Sequence, residues 1–163
     1  METSHISLVV FAVVSAITPG PNNVLVTANA AANGIRATVP HMLGIGVGFA
    51  LMIVLVGLGL AGVMTANPTV ALALRWSSMA WLLWLAFQIA VAPPPGEEQG
   101  QMRFGFIAAM LFQWVNPKAW LLALTIAAAW VRPGAPVGPQ LAVIGVVFLL
   151  VTPPCCIPWA LLG

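Results

Sequence analysis

The stretch Ile17-Thr18-Pro19-Gly20-Pro21-Asn22-Asn23 interrupts an apolar run that extends from Ile6 to Ile35 without a charged residue. In a water-soluble chain these residues would form an ordinary turn. Within a hydrophobic span they form a break, because proline lacks the N–H that the helix ladder needs and its ring clashes with the preceding turn. Irregular backbone at membrane depth persists only where protein or water satisfies the freed polar groups. A second break, Asn116-Pro117-Lys118, lies in another apolar run late in the chain. The two breaks point to a transporter organised around interrupted helices.

Composition supports a membrane setting. Of 163 residues, 61% are hydrophobic and 5% charged, with a mean hydropathy of +1.05. A soluble domain carries about 25% charged residues. Several stretches exceed the roughly 20 apolar residues that cross a bilayer, and they lack the period-2 alternation of barrel strands. The expected fold is an all-α integral membrane protein with about five transmembrane helices, two of them broken at proline motifs. No run of Lys or Arg makes a basic patch, so no nucleic acid is expected as a partner. Cys155 and Cys156 are adjacent, a poor geometry for bridging each other and no metal spacing; they read as small fillers within a span. The N-terminus lacks the basic region of a signal peptide, offering Glu2 and His5 instead.

Three spans make the first half, residues 1–92. Span 1 covers His5 to Ala32. A short connection over 33–38, with the helix-stopping Gly34, leads to span 2 from Pro40 to Met64. Gly44 and Gly48 share a face there and permit close approach of another helix. Span 3 runs from Arg75 to Ala92 and contains Trp76, Trp81, Trp84 and Gln88. Residues 93–103 form a hydrophilic linker with Glu97 and Glu98. The second half, 104–163, holds span 4 from Phe104 to Trp130, a turn at Arg132-Pro133-Gly134-Ala135-Pro136, and span 5 from Gln140 to Leu162. Pro153, Pro154 and Pro158 are expected to make the far end of span 5 irregular. Charge does not fix the orientation: Arg36 and Arg103 lie on one side and Arg75 and Arg132 on the other, a tie under the positive-inside rule.

The breaks carry the chemistry. Asparagine is a strong N-cap and proline a favoured first helical residue, so Asn116-Pro117 starts a half-helix inside span 4, and Pro21-Asn22 can start one after Gly20. Each such terminus offers unpaired N–H groups and partial positive charge, a site for a carboxylate. Lys118 sits in an apolar run, where a lysine costs about 2.5–3.5 kcal/mol, and in the first turn of a helix, the wrong end for a cation. The chain has no Asp, and Glu2, Glu97 and Glu98 all lie outside the apolar spans. Two readings of Lys118 follow: it meets a substrate carboxylate, or it lies shallow and snorkels to headgroups. The candidate substrate-binding residues are Pro19, Gly20, Pro21, Asn22, Asn116, Pro117 and Lys118. His41, at the mouth of span 2, reads as a structural interfacial residue before a proton carrier. Two histidines and no paired carboxylates leave little for acid–base or metal catalysis, so neither an enzyme nor a metal or other cofactor is expected.

Thr18-Pro19-Gly20-Pro21-Asn22, Gly34-x-Arg36, Gly44-x-Gly46-x-Gly48, Trp81-Leu82-Leu83-Trp84-Leu85-Ala86 and Gln113-Trp114-Val115-Asn116-Pro117-Lys118-Ala119-Trp120 follow one another along nearly the whole chain. The ordered set resembles the LysE/RhtB family of amino-acid exporters. The resemblance implies a multi-pass protein of the bacterial inner membrane that exports amino acids or derivatives, driven by the proton motive force. It implies two related three-helix halves of opposite orientation, and cytoplasmic loops at Arg36 and Arg103. Ser78 and Trp81 stand where the family commonly has Gly and Tyr. The chain also ends at Gly163, where span 5 ends, whereas family members continue through a sixth helix. The second half is then incomplete, and the alternative to an exporter is a truncated, non-transporting membrane protein or a subunit needing a partner helix. An apolar face left open by the missing helix points to a homo-oligomer in the lipid bilayer.

Overall fold

The computed structural model describes residues 2–60, 104–132 and 134–163, with scattered positions between 67 and 87. The third span, with Ser78, Trp81, Trp84 and Gln88, and the linker over 93–103 lie outside the described residues apart from isolated positions. Among the described residues every regular element is helical. They are α1 (Glu2–Ile17), α2 (Pro21–Asn33), α3 (Ile35–Leu55), α4 (Phe106–Phe112), α5 (Pro117–Trp130) and α6 (Val137–Leu161). A π-helical turn, Val56–Leu60, extends α3, and a 3₁₀ turn, Gln113–Val115, extends α4.

The first break falls where the sequence places it. Proline at the first helical position needs no N–H partner, so α2 restarts at Pro21 after an extended Gly20. The axes of α1 and α2 differ by 55°. The connection expected over 33–38 contracts to one residue, Gly34, whose φ of 81° reverses the chain and whose N–H closes on Ala30 O at 2.8 Å. Helix α3 therefore begins at Ile35 rather than Pro40. Pro40 then withholds a single hydrogen bond, the one owed to the carbonyl four residues earlier.

Among the described residues, two helices are long and apolar enough to cross a membrane by themselves: Ile35–Gly59 and Val137–Leu161, each 25 residues. At 1.5 Å per residue such a helix exceeds the roughly 30 Å hydrocarbon core. The bent pair α1–α2 makes a third candidate span, and the stretch expected as span 4 is divided between two shorter apolar helices, Phe106–Val115 and Pro117–Trp130. Outward-facing Ile6, Val10, Leu121 and Leu150 are each more than half exposed, an arrangement suited to lipid and unsuited to water.

Helix α3 is the centre of the bundle. A Cβ added at Gly44 would collide with the Phe106 carbonyl, and one at Gly48 would stand 2.6 Å from Met110 O. That face therefore lies backbone to backbone against α4, as the four-residue glycine spacing predicts. Gly46 turns the other way, where a Cβ would stand 3.0 Å from Pro153 Cγ and 3.3 Å from Leu149 O of α6. Two apolar clusters flank this axis. One joins Leu8 and Ala12 of α1 to Phe49 and Met52 of α3, Ala123 and Ile126 of α5, and Phe148 of α6. The other joins Leu25 and Val26 of α2 to Met42 and Ile45, Phe112 of α4, and Cys156 of α6.

Two expectations are corrected. Helix α6 stays helical from Val137 to Leu161, with Pro153, Pro154 and Pro158 inside it. Neighbouring helices support it: the Pro153 ring lies against Gly46, and a hydroxyl of α2 bonds Trp159 O. His41 is fully buried rather than interfacial. Because α3 starts earlier, this residue falls beneath α2, where its Nδ1 lies 3.3 Å from Asn29 Nδ2 and its ring 5.0 Å from that of Phe104.

These contacts set an expected outcome for a pair of substitutions. Gly48→Ala drives a methyl into α4 backbone and should lower stability by about 1–3 kcal/mol. Gly138→Ala, where nothing lies within 4 Å of the added Cβ, should be neutral or gain up to about 1 kcal/mol. Unfolding in detergent micelles, followed by tryptophan fluorescence, checks both.

Candidate functional site

The site grows from backbone groups that the breaks set free. The last carbonyls of α1 have no partners within their own helix, and side chains from three other elements take them up. Asn23 Nδ2 donates to Ala16 O at 3.2 Å and to Thr18 O at 2.9 Å. Trp159 Nε1, from α6, donates to Ile17 O at 3.2 Å. Lys118 Nζ, from α5, donates to Thr18 O at 2.6 Å and to Pro19 O at 3.4 Å. Gly20 O accepts the N–H groups of Asn23 and Val24. The C-terminal carbonyl end of α1 carries partial negative charge, so Lys118 rests on the pole that suits it. The apolar spans hold no carboxylate, and this helix end supplies the counter-charge in its place.

The second break is closed in the same manner. Asn116 caps α5, its side chain accepting from Lys118 N at 3.1 Å, and Asn116 O accepts from Ala119 N and Trp120 N. Trp120 Nε1 reaches back to Trp114 O at 2.9 Å. Gln113 Nε2 donates to Ala109 O at 2.8 Å. The two breaks then meet through an amide pair: Asn22 Nδ2 donates to Gln113 Oε1 at 2.9 Å, and Gln113 Nε2 donates to Asn22 Oδ1 at 3.2 Å. Gln113 and Asn116 are almost wholly buried, which raises the cost of separating them from their partners.

A small cavity lies where the breaks converge. Ser15, Ala16, Gly20, Asn22 and Asn23 line it from the first break, and Gln113, Asn116, Lys118, Ala119 and Leu122 from the second. Ile45 and Phe49 of α3 and Phe148, Thr152 and Cys156 of α6 complete the wall. Its volume of about 40 Å³ admits roughly three waters at 10–15 Å³ each. A Cβ at Gly20 would stand 2.8 Å from Lys118 Cδ, so a larger residue there would displace the lysine side chain.

Of the residues singled out in the sequence, Gly20, Asn22, Asn116 and Lys118 share this cavity. Pro21 and Pro117 open the two half-helices, and Pro19 lends its carbonyl to Lys118. The two half-helix ends differ. That of α5 is closed by Asn116, whereas α2 has no side-chain cap, which leaves its end the more open to an anion. Sequence reasoning missed Ser15, Gln113, Thr152 and the cavity-facing place of Cys156. An uncharged polar residue within an apolar run was the available signal for the first three.

The chain matches the model of the LysE type translocators over residues 13–153. It belongs to that family. The relatives it matches include the cysteine/O-acetylserine efflux protein of Salmonella typhimurium (strain LT2), 33% identical over 124 residues, 76% of this chain and 63% of the relative. The proteins of the same name from Klebsiella pneumoniae and Escherichia coli O9:H4 are each 30% identical, again over 76% of this chain and 63% of theirs. The chain thus spans less than two thirds of the length of these curated relatives. No solved structure matches it. The family is one of translocators rather than enzymes, and both breaks and the cavity between them fall within the matched region.

The amide pair gives a second expected outcome. Asn22→Ala and Gln113→Ala should each cost about 1–3 kcal/mol by stranding a buried amide. The double variant should cost less than the sum, with a coupling energy of at least about 0.5 kcal/mol. A double-mutant cycle on unfolding in detergent measures it.

Proposed function

We infer that the protein exports amino acids or close derivatives, with the substrate carboxylate held between the two breaks. The observation that carries this reading is the placement of Lys118 at a cavity between two interrupted helices, with its ammonium bonded only to backbone carbonyls. An ammonium has three donors, and two of them rest on neutral acceptors. A carboxylate forms stronger, charge-assisted bonds, so a substrate arriving in the cavity competes for Lys118 on favourable terms. The uncapped end of α2 adds the Asn22 N–H and partial positive charge for the same anion.

Export follows as a sequence of exchanges. The cavity is smaller than an amino acid, so entry requires the breaks to part. Lys118 then leaves Thr18 O and Pro19 O for the carboxylate and returns to them on release. The link between α1 and α5 is thereby exchanged for a link to the substrate, which ties occupancy to the angle at the first break. The relatives' names, cysteine and O-acetylserine efflux, place small polar amino acids first among the substrates to test. We further propose a multi-pass protein of the bacterial inner membrane, built as two related halves around the paired breaks, with export driven by the proton motive force.

The test is counterflow in proteoliposomes loaded with an unlabelled amino-acid mixture and challenged with labelled amino acids one at a time. The wild-type chain should accumulate label. Lys118→Ala should abolish accumulation while protein abundance in the membrane is unchanged. Transport that survives the substitution removes Lys118 from the site.

A further inference from the structure

A threonine within an apolar helix ordinarily donates its hydroxyl to the carbonyl one turn earlier, so that no polar atom is left bare. Four described threonines do this: Thr18 to Val14 O at 2.5 Å, Thr27 to Asn23 O at 3.1 Å, Thr38 to Gly34 O at 3.0 Å and Thr125 to Leu121 O at 2.8 Å. Thr152 does not. It is 5% exposed, and its Oγ1 is sealed from solvent without any hydrogen-bond partner. The ordinary remedy, the Phe148 carbonyl, stands one turn back on the same helix and is not used.

Position gives this exception a meaning. Phe148, Thr152 and Cys156 are spaced at one-turn intervals along one face of α6, and all three line the cavity that Lys118 also lines. The other buried side-chain atom without a partner among the described residues, His41 Nε2, belongs to a residue that does not line it. Among the described residues, Thr152 is therefore the one that combines an unpaired buried hydroxyl with a place in the cavity wall.

The geometry points to Thr152 as the residue that reads the side chain of the transported amino acid. This rests on the export reading above. Lys118 takes the carboxylate common to all amino acids, which carries no information about the side chain. The Thr152 hydroxyl pairs with a polar, uncharged group on that side chain, such as a hydroxyl, a thiol or an ester oxygen. A substrate bearing such a group supplies the missing partner. An apolar substrate of the same length leaves the hydroxyl bare and is rejected by the cost of that unpaired group. The preferred class is thus amino acids with short, neutral, hydrogen-bonding side chains.

The test compares counterflow of labelled O-acetylserine with that of labelled norleucine, which has similar length and no side-chain oxygen. The wild-type chain should prefer O-acetylserine by about tenfold, the worth of one net hydrogen bond. Thr152→Val keeps the shape and removes the hydroxyl, and should bring the preference close to unity. Thr152→Ser should retain most of it. Thr152→Val should also melt at or above the wild-type temperature, because it breaks no existing bond. A Val variant that transports with its preference intact, or one that melts below wild type, overturns the assignment. Wild-type vesicles that carry amino acids without preferring O-acetylserine overturn it too. Wild-type vesicles that carry no amino acid overturn the export reading instead, and this inference with it.

Discussion

The structure depends on the pairing of backbone carbonyls at the end of α1. Bilayer hydrocarbon offers no water to satisfy them, and each carbonyl left bare would cost several kcal/mol. The chain spends Asn23, Trp159 and Lys118 on them. These side chains come from α2, α6 and α5, so closing one break draws three helices to the same point. The cavity is a by-product of that convergence. Helices that meet end-on at a bend cannot pack as closely as helices that lie side by side along their ridges.

The same requirement explains why polar residues in this chain cluster where they do. Asn22, Gln113 and Asn116 would each be costly on an apolar helix face. Here each bonds a group that a proline or a bend has released, or bonds another amide that does so. Buried amides and broken helices therefore stand or fall together. An intact helix at either site would leave the amides without partners, and apolar residues in place of the amides would leave the breaks without theirs.

Much of this was legible in the sequence. Pro19-Gly20-Pro21 and Asn116-Pro117 each force a local conformation through their own covalent structure, so both breaks could be read without knowledge of their neighbours. The glycine spacing of α3 was legible for the same reason, since Gly44 and Gly48 share a face in any α-helix. What failed depended on tertiary surroundings. The prolines of α6 are tolerated because α2 and α3 support that stretch. His41 is buried because Gly34 turns the chain in a single residue. The sequence shows no carboxylate partner for Lys118 within the spans, whereas the group that meets it is the backbone end of a helix a hundred residues earlier. Thr152 is visible in the sequence only as a polar residue in an apolar run, since its distinction from the other threonines lies in a bond that it does not make.

The amide pair between Asn22 and Gln113 has an electrical consequence. Both groups are neutral, so parting them moves no net charge through the bilayer, and the membrane voltage does no work on that joint. Lys118 is different. A unit charge crossing the full membrane exchanges about 2.3 kcal/mol with each 100 mV of potential, and any excursion of its ammonium along the membrane normal takes a share of that energy. An amino acid bound there would bring its own ammonium along with its carboxylate, so the loaded site keeps the unit charge of Lys118. The voltage therefore acts on the lysine whether the site is empty or loaded, and in both states it leaves the amide joint untouched.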